Sequence, residues 1–132
     1  MRSLILMLLL LPLAATASMR DLDRLHRQAM AQHTYITDLE QYGVPEKWVA
    51  SLVGDCEDYA LYMQALLRQH AYQADLWVVR TETNELHVVA MVDDIVIDNR
   101  RQRAFPARFF KYDWIAPVEY HNAKNRQLLA QN

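Results

Sequence analysis

The chain has 132 residues, 52% of them hydrophobic, with 14 basic and 16 acidic side chains and a formal net charge of -2. This balance excludes a disordered or fibrous chain and leaves no electrostatic footprint for nucleic acid or for an anionic membrane surface. One globular domain with a single core is expected.

Residues 1–17 differ from the rest. Arg2 gives a short positive start, the apolar run from residue 4 to residue 13 is broken only by Pro12, and Ala15-Thr16-Ala17 supplies the small residues of a cleavage site. The run is shorter than the roughly 20 residues a membrane-spanning helix needs. It reads as a cleaved secretory signal in preference to an uncleaved anchor or a start at Met19. The mature chain is then residues 18–132, periplasmic or secreted, with no integral span.

In residues 20–41, Leu22, Leu25, Ala29, Met30 and His33 recur at three- and four-residue steps. They predict one helix, ended by Tyr42-Gly43-Val44-Pro45. A turn or short helix is expected over 45–52, with Pro45 suited to a first helical position. Asp55 is a favourable N-cap for a helix over 56–69, whose apolar stripe is Tyr59, Ala60, Met63, Leu66 and Leu67. The period then changes to that of strands over 75–80, 86–92 and 95–98, an antiparallel meander with a tight turn at Asp93-Asp94. Arg100-Arg101-Gln102-Arg103 reads as a solvated turn, residues 109–120 hold apolar stretches fit for further strands, and residues 121–132 are a polar tail. Trp48 and Trp77 are expected in the core.

Cys56 is the single cysteine. In an oxidising compartment an unpaired thiol is a liability unless it is buried or used. Its position in the first turn of a helix favours a thiolate, and the strands that follow carry His87, a base, and Asp98, a carboxylate able to fix the imidazole. Hairpin parity tests this grouping. If residues 93 and 94 form the turn, Val92 faces Ile95 and Asp98 falls opposite Val89, on the same sheet face as His87 and one diagonal step away. Each residue has a plain structural role as well: Cys56 as a small core residue, His87 as a satisfied core histidine, Asp98-Asn99 as the start of a turn. The combination is what points to catalysis.

Asp55, Glu57 and Asp58 surround the cysteine. Negative charge suits a helix N-terminus but opposes a thiolate, a conflict that a bound hard cation such as calcium would resolve. The alternative is that Asp55 and Asp58 only cap the helix. The histidines at 26, 33, 70, 87 and 121 form no zinc-binding pattern, and His26 and His33 read as solvated or packing residues of one helix.

Gly54-Asp55-Cys56-Glu57-Asp58-Tyr59-Ala60, followed by a histidine-bearing strand and Asp98-Asn99, resembles the bacterial transglutaminase-like cysteine proteinases. That family includes calcium-dependent periplasmic proteases that clip large surface adhesins. The resemblance implies an α+β, papain-like core with the cysteine at the N-terminus of a helix packed on an antiparallel sheet. It also implies Cys56 as nucleophile, His87 as general base and Asp98 as orienting residue, acting on a protein or peptide through an acyl-enzyme that water resolves. Asp55 and Glu57 are its implied calcium ligands, with Asp58 a further candidate. Acyl transfer to an amine, or a binding module that kept the fold, are the alternatives. The backbone N–H of Cys56 suits an oxyanion hole, since first-turn amides lack intrahelical partners, and the second donor stays open.

Overall fold

A computed structural model describes residues 17–118 of the chain. The signal segment, apart from Ala17, and the polar tail at 121–132 lie outside the described residues.

Helix α1, Met19–Met30, starts where Ser18 Oγ accepts the Asp21 N–H at 3.3 Å, and buries Leu22, Leu25, His26 and Ala29. It does not continue to residue 41. The Thr34–Tyr35 segment forms strand β1, and helix α2, Asp38–Tyr42, begins afresh at Thr37. A capping box between Thr37 and Glu40 starts α2, and Gly43 ends it in the left-handed region at φ 69°. The apolar spacing that suggested one helix is overridden by the strand-favouring β-branched and aromatic residues at 34–37 and by the pairing available to β1.

Of the turn or short helix expected over 45–52, no helix forms: the segment is irregular, with bends at Pro45 and Leu52. Side-chain carboxylates take up its amides instead: Lys47 N–H donates to Asp38 Oδ2, and Val49 N–H to Asp58 Oδ1 at 2.7 Å. Strand β2, Val53–Gly54, pairs in parallel with β1 in the register Thr34↔Val53 and Tyr35↔Gly54. Gly54 is required by close approach, because a Cβ there would sit 2.7 Å from Asp58 Cβ. Helix α3, Cys56–Gln69, has the expected bounds, but the Asp55 side chain makes no cap hydrogen bond.

The remaining strands are β3 (Asp75–Arg80), β4 (Leu86–Val92), β5 (Ile95–Ile97), β6 (Phe105–Pro106) and β7 (Asp113–Pro117). They make one antiparallel sheet in the order β6-β5-β4-β3-β7. Side-chain alternation divides its faces. Val88, Ala90, Val92, Ile95 and Ile97 pack with α1 and α3, including Leu22, Tyr59, Met63 and Leu67. Val79, Val89 and Val96 pack on the other face with Phe110 and Tyr112. Trp48 and Trp77 are only half-buried, packed against these two clusters from their margins. The fold is thus mixed α+β, with an antiparallel sheet packed against helices.

Two residues of α1 tie the segment after β5 to the rest of the domain. Buried His26 holds the Arg101 carbonyl at 2.7 Å through Nε2 and the Tyr59 hydroxyl at 2.8 Å through Nδ1. Neutral imidazole with Nε2 protonated satisfies both bonds, and burial holds its pKa below the usual histidine value. Asp23 accepts from Arg103 Nε at 2.9 Å and from the Ala104 N–H at 3.0 Å. The expected arginine turn is therefore partly anchored. No helix among the described residues is long and apolar enough to cross a membrane.

Candidate active site

The β4–β5 hairpin has the register that parity required. Val92 pairs with Ile95, Met91 with Val96 and Ala90 with Ile97, around a two-residue turn in which Asp93 takes φ 52°. Continuing the register puts Asp98 opposite Val89, and the His87 and Asp98 side chains meet, with Nε2–Oδ1 at 2.7 Å. Both are buried, Asp98 completely.

Asp98 is saturated with donors. Besides His87, Oδ1 accepts the Arg100 N–H at 2.9 Å, and Oδ2 accepts the Tyr112 hydroxyl at 2.5 Å. Burial alone would raise its pKa, but these bonds and the nearby imidazole hold it below the ordinary carboxylate value. Tyr112 Oη in turn accepts from Arg100 Nη1 at 3.1 Å, and the Arg100 guanidinium pairs with Glu82 at 2.9 Å. Tyr112 is not singled out by the sequence, and Arg100 reads there only as part of a solvated turn. The one signal available was an aromatic residue in an apolar stretch, and nothing in its spacing indicated that its hydroxyl would reach Asp98.

Cys56 occupies the first position of α3 and packs against the helix-side core. His87 shares its sheet face with Val89, and Cys56 and His87 border one pocket. That pocket, of about 520 Å³, is bordered by Cys56 and His87 together with His33, Tyr35, Asn99 and Arg100. The thiol donates to Glu57 Oε2 at 2.8 Å, and no hydrogen bond joins it to His87 among the described residues. Burial, then the Glu57 carboxylate, raises the thiol pKa well above its ordinary value; the Val88 N–H offsets this in part.

The acidic residues beside Cys56 divide. Asp55 and Glu57 converge with Asp38 of α2, each offering a carboxylate oxygen within 4.8 Å of the others. Asp38 is almost fully buried, and its Oδ1 and that of Asp55 are buried without a hydrogen-bond partner. Burial, contact with Glu46 and the charge of Asp55 push the Glu57 pKa up to about 9; burial also raises that of Asp55. Asp58 lies outside this group of three and turns to the Val49 N–H instead; its own pKa rises to about 6, chiefly through burial. Asp38 was missed because it lies 17 residues before Asp55, on an element that periodicity had merged into a longer helix.

His33 is not on α1. Its Nδ1 holds the Leu52 carbonyl at 2.9 Å and its Nε2 faces the Asn99 amide nitrogen at 3.3 Å, which places it on the pocket wall.

A search of curated proteins gave no match. The family model for bacterial transglutaminase-like cysteine proteinases matches residues 12–132. A cysteine at the head of a helix, packed on an antiparallel sheet whose hairpin joins a histidine to an aspartate, agrees with that match, and the chain belongs to the bacterial transglutaminase-like cysteine proteinase family.

Proposed function

We propose that the protein is an exported cysteine peptidase that hydrolyses a peptide or isopeptide bond, with Cys56 as nucleophile, His87 as general base and Asp98 as orienting residue. The observation that carries this reading is the 2.7 Å bond from His87 Nε2 to a buried, fully paired Asp98, beside a pocket that the thiol also borders. With Nε2–H committed to Asp98, Nδ1 is the nitrogen free to exchange a proton with the thiol. Nδ1 takes the thiol proton and the sulfur attacks the carbonyl carbon. The tetrahedral intermediate expels the amine, which receives that proton, and water releases the acyl group by the reverse sequence. The test is intact-mass labelling by iodoacetamide. Fast modification of Cys56 that is lost in His87→Ala supports the pair, whereas equal rates in the two proteins would show an ordinary thiol.

Calcium is the cofactor that best suits the acidic cluster, with Asp38, Asp55 and Glu57 as side-chain ligands. Three converging carboxylates, with Oδ1 of Asp38 and of Asp55 lacking a hydrogen-bond partner, have the hardness and number to start a calcium shell that backbone carbonyls and water would complete. When bound, calcium would supply the positive charge that favours a thiolate. Asp38 and Asp58 would meanwhile hold the 45–52 segment through the Lys47 and Val49 amides.

Export rests on residues 1–17 and the small residues Ala15 and Ala17. N-terminal sequencing of the protein from periplasm or medium should begin at or near Ser18. Recovery from cytosol alone, with residues 1–17 intact, would refute export.

A further inference from the structure

Cleavage through a thiol ester passes through a tetrahedral oxyanion, which needs at least two hydrogen-bond donors. The Cys56 N–H is one, being a first-turn amide that Asp55 does not cap. The other must come from the pocket wall, and most of the wall's polar groups are engaged. The Asn99 amide faces His33 Nε2, and His33 Nδ1 is held by Leu52 O. Thr81 Oγ1 bonds with Thr83 and accepts the Glu85 N–H. The Arg100 guanidinium is divided between Glu82 and Tyr112.

Resting on the triad reading above, we propose that Tyr35 Oη is the second oxyanion donor, paired with the Cys56 N–H. Tyr35 borders the pocket with Cys56, and its hydroxyl is bonded to no other described residue. Its position is set by backbone pairing, because Tyr35 sits opposite Gly54, two residues before the nucleophile. A phenol is protonated at neutral pH, so the hydroxyl is available as a donor. The residue is exposed where it borders the pocket, on the side a substrate carbonyl would enter. As the C–S bond forms, the carbonyl π pair moves onto oxygen, and Tyr35 donates to that oxygen without giving up its proton. When the C–N bond breaks the pair returns.

Two reagents separate this role from activation of the thiol. Acylation by p-nitrophenyl acetate forms an oxyanion, whereas alkylation by iodoacetamide displaces iodide and forms none. Tyr35→Phe should slow the p-nitrophenolate burst about 10²-fold, the usual size for loss of one such donor. Its iodoacetamide rate should stay within about twofold of wild type, because no oxyanion is involved. Unchanged melting of the variant shows an intact fold. Equal burst rates in wild type and Tyr35→Phe would overturn the proposal, as would a parallel fall in both reactions, which would make Tyr35 a partner of the thiol. If wild type is acylated no faster than Cys56→Ala, the triad reading falls and this proposal with it.

Discussion

The two halves of the site are built to opposite electrostatic standards. In the β4–β5 hairpin, Asp98 is buried, yet it accepts from His87, the Arg100 N–H and Tyr112, and its pKa is held low. At the head of α3, carboxylates face one another, three of their oxygens lack partners and the Glu57 pKa rises to about 9. Burial costs both groups alike; the supply of donors decides the outcome. The hairpin is a finished device, whereas the helix head is short of positive charge.

The largest effect expected on this contrast comes from its reactive ends. Cys56→Ala and His87→Ala should each remove turnover, a loss of about 10³-fold or more, measured as burst kinetics with p-nitrophenyl acetate. Retained turnover in either variant would detach the hairpin from the chemistry. Asp98→Asn should lower the same rate by about 10²-fold and cost about 2 kcal/mol in urea melts, because buried donors then face a neutral amide. If stability falls but the rate does not, Asp98 is a structural residue only.

The helix head gives smaller, pH-dependent effects. The folded-state pKa of Glu57 is raised from 4.5 to about 9, so the native state holds a proton that the unfolded chain releases. Stability should therefore decline as pH rises from about 4.5 to about 9 in the presence of chelator. Asp98 has the opposite sign: its depressed pKa contributes stability above the unfolded value, lost as pH falls through the lower folded one. Melting temperature in EDTA should accordingly peak in mildly acid solution, and millimolar calcium should flatten the alkaline decline. A melting temperature that rises steadily from pH 5 to 9 in EDTA would contradict the account of Glu57. Calorimetry on chelator-treated protein should show calcium binding that Asp38→Ala abolishes and Asp58→Asn largely keeps. The smallest change is Asp38→Asn in EDTA, where loss of one repelling charge should raise stability by about 1 kcal/mol, seen as a melting shift of several degrees.

What the sequence made legible follows the range of the interactions involved. Helix α3 and strands β3 and β4 have the expected bounds, because their apolar periods are local and uninterrupted. The contact between His87 and Asp98 was accessible because strand parity and a two-residue turn reduce it to counting. Tyr112 and Asp38 were not, since each reaches the site from a separate element through a single side chain. The break in the predicted 20–41 helix was hidden for a related reason. Thr34 and Tyr35 leave helical geometry to pair with Val53 and Gly54, some 19 residues on, a partner that no local pattern announces.

The ties from α1 to the segment after β5 also bear on the order of assembly. His26 meets Arg101 across 75 positions and Asp23 meets Ala104 across 81, whereas His87 and Asp98 are 11 apart. Long loops cost more entropy to close, so contacts of that span form late unless earlier structure brings their ends together. During synthesis the first helix emerges long before its partners at 101–104 exist, and the turn behind Asp98 stays unanchored until they arrive. A chain still being made, or cut short before residue 98, holds Cys56 and His87 without the Asp98 carboxylate that His87 pairs with in the finished fold. On the proposed triad, activity would wait on length, and an unfinished copy would be an inactive one.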